Sequence, residues 1–242
     1  MKLLLQRTLS PQLEGPFWVE NSHLDGTHLH AFLIVARDHQ HSYFEPRYSP
    51  AGEPYWISDR DGGSKVYRNG APLTRRPTFK FDFAPQELIS LQSQDDDSPY
   101  ALARGDQLTL LDSSLTHLAP VPGSDQWVVS SLENLYLGPL DKLISQGPTP
   151  ARRFSPGPEH LYYTRRHQLL RQPLAGGPAE RLFACQEGDL VYPCWTPQGI
   201  LVTQEDSAIN HLWLVDPQKK EAVSLWSGPD ERVYACDFIE RT

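Results

Sequence analysis

An aromatic residue, a Ser/Thr/Ala-Pro corner and a short apolar run recur along this chain at a spacing of roughly 35–40 residues. The copies are Tyr48-Ser49-Pro50, Phe83-Ala84-Pro85, Phe154-Ser155-Pro156 and Trp195-Thr196-Pro197. Runs such as Tyr55-Trp56-Ile57-Ser58, Leu88-Ile89-Ser90-Leu91, His160 to Thr164 and Gly199 to Thr203 follow them. Each run is strand-sized and turn signals separate them. A repeat of this length built from short strands cannot bury its apolar faces alone, so copies must stack side by side. The expected fold is all-β: a six-bladed β-propeller of four-stranded antiparallel blades.

Blade one shows the pattern most fully. Its strands are Tyr43 to Tyr48, Tyr55 to Ser58, Lys65 to Arg68 and Ala71 to Thr74. Asp59-Arg60-Asp61-Gly62-Gly63 supplies one turn, where Gly tolerates positive φ and Asp bonds its own backbone. Asn69-Gly70 is a strong hairpin signal. The expected single domain covers residues 1–242, with blades near 42–76, 77–119, 120–148, 149–186 and 187–229, and a sixth from 230–242 plus 1–41. The third is the least regular, with Trp127 to Ser130, Asn134 to Leu137 and Lys142 to Ile144 as its visible strands. Arg232 to Ile239 reads as an innermost strand with no partner after it, and Lys2 to Thr8, Phe17 to Asn21 and His30 to Val35 supply the missing three. Pairing the two ends removes the free sheet edges of an open array. Five blades with a decorated terminus is the alternative count.

The stretch Phe44 to Gly52, followed by Ser58-Asp59-Arg60-Asp61-Gly62 and Val66-Tyr67-Arg68, resembles the WD40-like (PD40) repeat of the TolB family. Pro193 to Gly199 with His211 to Asp216 is a second copy, and Arg153 to Gly157 with Leu170 to Gly177 a third. The same segments resemble the propeller domain of prolyl oligopeptidase-like peptidases, in which a separate α/β-hydrolase domain carries the chemistry. No G-x-S-x-G nucleophile elbow occurs in this sequence, so peptidase activity is not expected of it. The resemblance implies the fold and leaves the activity open, because propellers host many unrelated functions.

Composition excludes several classes. Hydrophobic residues make up 39% and charged ones 21%, enough for a folded core. The formal net charge of −8 argues against a nucleic-acid partner, and Arg75-Arg76, Arg152-Arg153 and Arg165-Arg166 read as solvated turn residues. No apolar stretch approaches the roughly 18 residues of a membrane helix, and Leu3-Leu4-Leu5 is too short for a signal-peptide core. A soluble, monomeric cytoplasmic protein without a membrane partner is expected. Cys185, Cys194 and Cys236 show no metal or disulfide spacing and read as small buried residues.

Propellers bind ligands or partner segments at the central channel, so the innermost strands carry the candidates. Aligned on the aromatic slot, they place Arg47, Asp82, Arg153, Cys194 and Asp237 toward the channel, and two residues earlier Glu45, Lys80, Ala151, Tyr192 and Ala235. The ligand-binding candidates are Glu45, Arg47, Lys80, Asp82, Arg153, Tyr192 and Asp237. Such a ring suits a polar ligand or a peptide terminus; the plainer reading is that the charges pair with one another across water. His23, His28, His30, His39 and His41 cluster early in the chain. His39 and His41 are the candidates for a divalent metal, against an ordinary reading as surface histidines. Asp95-Asp96-Asp97 lacks a calcium-loop spacing. Tyr48, Phe83, Phe154 and Trp195 read as packing between blades. The expected function is a non-catalytic binding module that takes a protein, peptide or polar small ligand at the channel mouth. No catalytic residue is assigned and no cofactor is required, although a divalent cation is possible. The alternative is a channel-centred, metal-dependent hydrolase or lyase.

Overall fold

The computed structural model describes residues 1–9, 18–36, 40–85, 87–95, 97–111, 113–151, 153–229 and 231–239. Its first strands are β1 (Lys2–Leu9), β2 (Trp18–Asp25) and β3 (His28–Ala36). Blade one holds β4 (Tyr43–Tyr48), β5 (Pro54–Ser58), β6 (Lys65–Arg68) and β7 (Ala71–Pro72). Blade two holds β8 (Thr78–Ala84), β9 (Glu87–Gln92), β10 (Ala101–Arg104) and β11 (Gln107–Thr109). Blade three holds β12 (Leu115–Pro120), β13 (Trp127–Ser131), β14 (Asn134–Gly138) and β15 (Ile144–Pro148). Blade four holds β16 (Phe154–Pro156), β17 (His160–Arg165), β18 (Gln168–Pro173) and β19 (Glu180–Ala184). Blade five holds β20 (Asp189–Thr196), β21 (Gly199–Glu205), β22 (Asn210–Asp216) and β23 (Glu221–Gly228), and β24 (Glu231–Ile239) follows.

Each blade is a four-stranded antiparallel sheet, and blade six has the order β24-β1-β2-β3. The six blades form a ring that the two ends of the chain close. Lys2 pairs with Ile239 and Leu9 with Glu231, with one register shift at Leu4/Leu5. This is the six-blade closure expected from the leftover strands, and it sets aside the five-blade count. Among the described residues there is no helix, and none therefore crosses a membrane.

The hydrophobic core is divided into six layers, one between each pair of neighbouring blades. Leu3, Leu5 and Leu24 of blade six pack on Cys194, Leu201 and Leu212 of blade five. Leu4 and Val19 of blade six meet Tyr43, Tyr48, Trp56 and Tyr67 of blade one. Tyr55, Ile57 and Val66 meet Phe81 of blade two. Corresponding layers join blades two and three, three and four, and four and five. A sheet buried on both faces reads as an almost continuous apolar run. Leu3-Leu4-Leu5 of β1 and Ile200-Leu201-Val202 of β21 are such runs, and all six side chains are fully buried. The Asn69-Gly70 hairpin forms as its sequence requires. Both residues have positive φ, 47° and 84°, the pair of values that a two-residue turn of this twist demands.

Blade three departs from the sequence pattern. The stretch Leu115–Pro120, which the repeat spacing gives to the end of blade two, is the innermost strand of blade three. The outer strand runs over Ile144–Pro148 rather than Lys142 to Ile144. The cause is local. Pro120 stands where the other blades carry an aromatic before their corner, so the repeat signal is missing there.

Because each core layer is shared by two blades, removing a buried side chain from the closing strand should weaken the whole ring. Leu5→Ala should cost roughly 2–5 kcal/mol. Leu110→Ala, at a side chain 50% exposed, should change stability by no more than about 0.5 kcal/mol. Urea denaturation of both variants measures the contrast.

Candidate functional site

All six innermost strands contribute side chains to one central cavity of about 140 Å³. Blade one gives Glu45 and Arg47, blade two Lys80 and Asp82, blade three His117 and Ala119. Blade four gives Arg153 and Phe154, blade five Tyr192 and Trp195, blade six Ala235 to Phe238. The structure therefore brings together all seven channel candidates of the repeat alignment, along with Cys194 and Ala235. Ala151 instead packs against the core layer between blades three and four.

β-Bulges aim these side chains. The innermost strands shift register at Phe44/Arg47, Thr78/Lys80, Leu115/His117, Val191/Cys194 and, in β24, between Ala235 and Asp237. A bulge bends its strand and re-aims a side chain. In two blades the bulge forces a non-glycine residue into the left-handed region, Glu45 at φ 48° and Tyr192 at φ 53°. A proline follows each, Pro46 and Pro193, and proline further restricts the residue before it. Strain of this kind costs on the order of 1–3 kcal/mol per residue and clusters at functional sites.

Both strained residues hold Arg153. The Arg153 guanidinium lies 3.9 Å from the centre of the Tyr192 ring, and its Nη1 donates to Glu45 Oε1 at 2.6 Å. Glu45 thus reaches across the axis from blade one to the opposite blade. Its second oxygen accepts from Lys80 Nζ at 2.8 Å, and Arg47 Nη2 lies 3.5 Å away. Lys80 is the deepest charge, with a side chain 3% exposed, and Arg153 the most open at 35%. The network runs from the buried Lys80 to Arg153, which stands toward solvent.

Arg47 hydrogen-bonds through two of its three nitrogens. Its Nε donates to Asp82 Oδ2 at 3.2 Å and its Nη1 to the carbonyls of Pro46 and Cys236, both at 2.8 Å. The remaining oxygen of Asp82 accepts from the Phe83 amide at 2.8 Å. Asp237 accepts from the amides of Tyr48 at 2.6 Å and Phe238 at 2.8 Å.

Burial and mutual charge set the protonation states. Burial alone would raise the Glu45 carboxyl, but Lys80, Arg153 and Arg47 together hold it well below the usual range. Burial lowers Lys80 to about 8 against the pull of Glu45. Burial drives Asp237 up, Arg47 pulls it down and Asp82 pushes it up again, with the balance at about 7. Asp82 is likewise raised by burial, with Arg47 opposing. Burial, reinforced by Lys80, holds His117 well below its ordinary value, so the ring is neutral. The thiols of Cys194 and Cys236 are raised, first by burial, Cys236 to about 12, and are protonated at neutral pH.

The repeat alignment passes over His117 because it misassigns its strand. Counting back one and three residues from Pro120, the slot before the Val121-Pro122 corner, reaches Ala119 and His117. The ring packs edge-on against Phe154, centroids 4.2 Å apart. Phe154 and Trp195 prove to be both packing and lining: each joins a core layer and faces the cavity, where Trp195 meets Phe238 at 5.8 Å. Gly157 lets this wall approach, since a Cβ there would lie 2.8 Å from Trp195 Cδ1. His39 lies outside the described residues, and His41 is not among the lining residues. His23 and His30 stack across β2 and β3 with centroids 6.2 Å apart. No group of three or more His, Cys, Asp or Glu side chains suited to a metal ion occurs among the described residues.

No family model matches the chain, and no curated protein does. Among solved structures, one chain in the crystal structure of a nidogen/laminin complex is similar over 97% of both chains. The TM-score is 0.62 at 12% identity, a likeness that shows the fold alone. A functionally unknown protein from Desulfotomaculum acetoxidans DSM 771 matches 92% of this chain and 79% of its own, at 10% identity and TM-score 0.44.

Two outcomes follow from the electrostatics. Glu45→Gln leaves buried cations without their counter-charge and should cost about 3–5 kcal/mol. Glu45→Gln combined with Lys80→Met should cost less than the sum of the two single variants, by at least about 0.5 kcal/mol. A double-mutant cycle in urea measures this. The second outcome is a pH dependence. Asp237 has its folded pKa raised from 3.8 to about 7, so between those values the folded state binds more protons than the unfolded one. Its contribution therefore falls as pH rises through that window. Relative to Asp237→Asn, the wild-type protein should lose stability from pH 4 to pH 7. Glu45 acts in the opposite sense: its contribution is complete above the ordinary value of 4.5 and is lost below it. Denaturation midpoints of both proteins across this range test the slope.

Proposed function

We propose that this protein is a non-catalytic binding module whose recognition site is the central cavity. The observation that carries this reading is the convergence of seven polar or charged side chains and an aromatic wall on one cavity at the axis. The arrangement is a concave site with few, fixed polar groups. Arg153 is held by Glu45 and Tyr192 before any ligand arrives, which lowers the ordering cost of binding. The cavity volume sets the scale of the ligand. A space of about 150 Å³ holds one benzene-sized ring, so the site suits a small polar molecule or the last residue of a peptide. The likeness of the repeats to TolB-type propellers agrees with recognition at the channel mouth.

A second reading rests on Asp82 and Asp237, two raised carboxyl groups flanking Arg47. Such a pair suits acid–base work in a hydrolase or lyase. It ranks second because each of the four oxygens already accepts an N–H, which ties the pair to Arg47 and to the backbone.

Fluorine-labelled tryptophan tests the location. In a screen of polar fragments, binders should move the Trp195 resonance and leave Trp213 and Trp226 unchanged. A screen in which no fragment moves Trp195, or in which Trp213 alone responds, would sink the central-cavity reading.

A further inference from the structure

One edge of the cavity's hydrogen-bonding lining is uncommitted. Each of the six carboxylate oxygens of Glu45, Asp82 and Asp237 already accepts an N–H at 2.6–3.2 Å. The donors are not used up. Arg153 commits only Nη1, which leaves the Nε and Nη2 groups of its planar fork. Lys80 Nζ makes one of its three possible bonds. His117 is a buried, neutral ring facing the cavity, and no hydrogen bond engages it among the described residues. A donor in a confined site left without an acceptor is costly. The uncommitted Nε–Nη2 edge of Arg153 therefore favours a ligand that brings acceptor oxygens.

Arg47, Lys80 and Arg153 face Glu45, Asp82 and Asp237, three cations against three carboxyl groups, so position rather than surplus charge distinguishes the cations. Arg47 is held by Asp82, Glu45 and two backbone carbonyls. Arg153 is the most solvent-exposed cation of the network. Its unused edge is the geometry that takes a carboxylate through two parallel bonds. The same cavity is lined by Trp195, Phe238, Phe154, Pro156 and Pro122, an apolar wall suited to a ring or a branched aliphatic group.

We infer that the cavity binds a small carboxylic acid with an apolar body, its carboxylate on the open edge of Arg153 and its body against Trp195 and Phe238. This rests on the central-cavity reading above and narrows it to one ligand class. The acid has two sources that share this chemistry, a free aromatic or branched acid and the C-terminal residue of a peptide.

Titration calorimetry with benzoate, benzamide and benzylamine tests the class. Benzoate should bind, and its neutral and cationic counterparts should bind at least about tenfold more weakly, because a hydrogen bond to a charged group is at stake. Arg153→Ala should weaken benzoate by roughly ten- to a hundredfold. Its side chain is partly exposed, and Glu45 keeps Lys80 and Arg47 in that variant, so the fold should survive. Arg153→Lys, which keeps the charge without the fork, should recover part of the loss. A peptide ending in a free Phe carboxylate, compared with its amide, separates the sources. Binding of the free peptide alone extends the site to chain ends, and binding of neither peptide assigns it to free acids. Benzylamine binding better than benzoate, benzoate binding unchanged in Arg153→Ala, or no binding of benzoate would each overturn the acid assignment. The tryptophan screen distinguishes that failure from failure of the broader reading: fragments other than acids moving Trp195 would leave the central-cavity module standing.

Discussion

Each blade of this protein buries its faces only against its two neighbours, and so the closed ring is the condition on which everything else depends. The pairing of β1 with β24 supplies that closure. Without it, β24 would present an unpaired edge and two core layers would open to water. Leu3 and Leu5 face one neighbour and Leu4 the other, so one strand serves both layers that the seam must seal. The stacking is nearest-neighbour, as in other repeat architectures, but the ring leaves no terminal blade to cap.

Closure also creates the site. Six innermost strands brought around one axis place their inward side chains within reach of each other, although they come from positions as far apart as Glu45 and Asp237. The bulges then decide which atoms meet. Glu45 and Tyr192 occupy strained backbone at equivalent places in blades one and five, and both converge on Arg153. A buried charge network of this kind adds little to stability as a whole. Its effect here is to fix one guanidinium in position.

Much of the fold was legible in the sequence because it rests on local signals. The aromatic-corner repeat marks four blades, Asn69-Gly70 marks a hairpin, and the unpaired strand at Arg232 to Ile239 has its complement in Lys2 to Thr8. Blade three was not legible, for a particular reason: Pro120 replaces the aromatic that marks the slot elsewhere, and His117 was lost with its strand. The channel candidates were legible because strand alternation and a shared slot fix which side chains face inward. What each of them does was not, since Arg47 and Arg153 look alike in the alignment. One is held by Asp82, Glu45 and two carbonyls, and the other keeps its Nε–Nη2 edge uncommitted.

The sequence by itself determined the all-β class, the repeat, the pairing of the two ends and most of the inward-facing residues. These follow from apolar periodicity and turn chemistry, which act over a few residues. Only the tertiary structure decided which charges neutralise which, that Glu45 spans the axis to Arg153, that His117 joins the site, and that the space left over is about 140 Å³. Those depend on distances between blades and on burial, and both arise only once the ring has closed and excluded water from its axis.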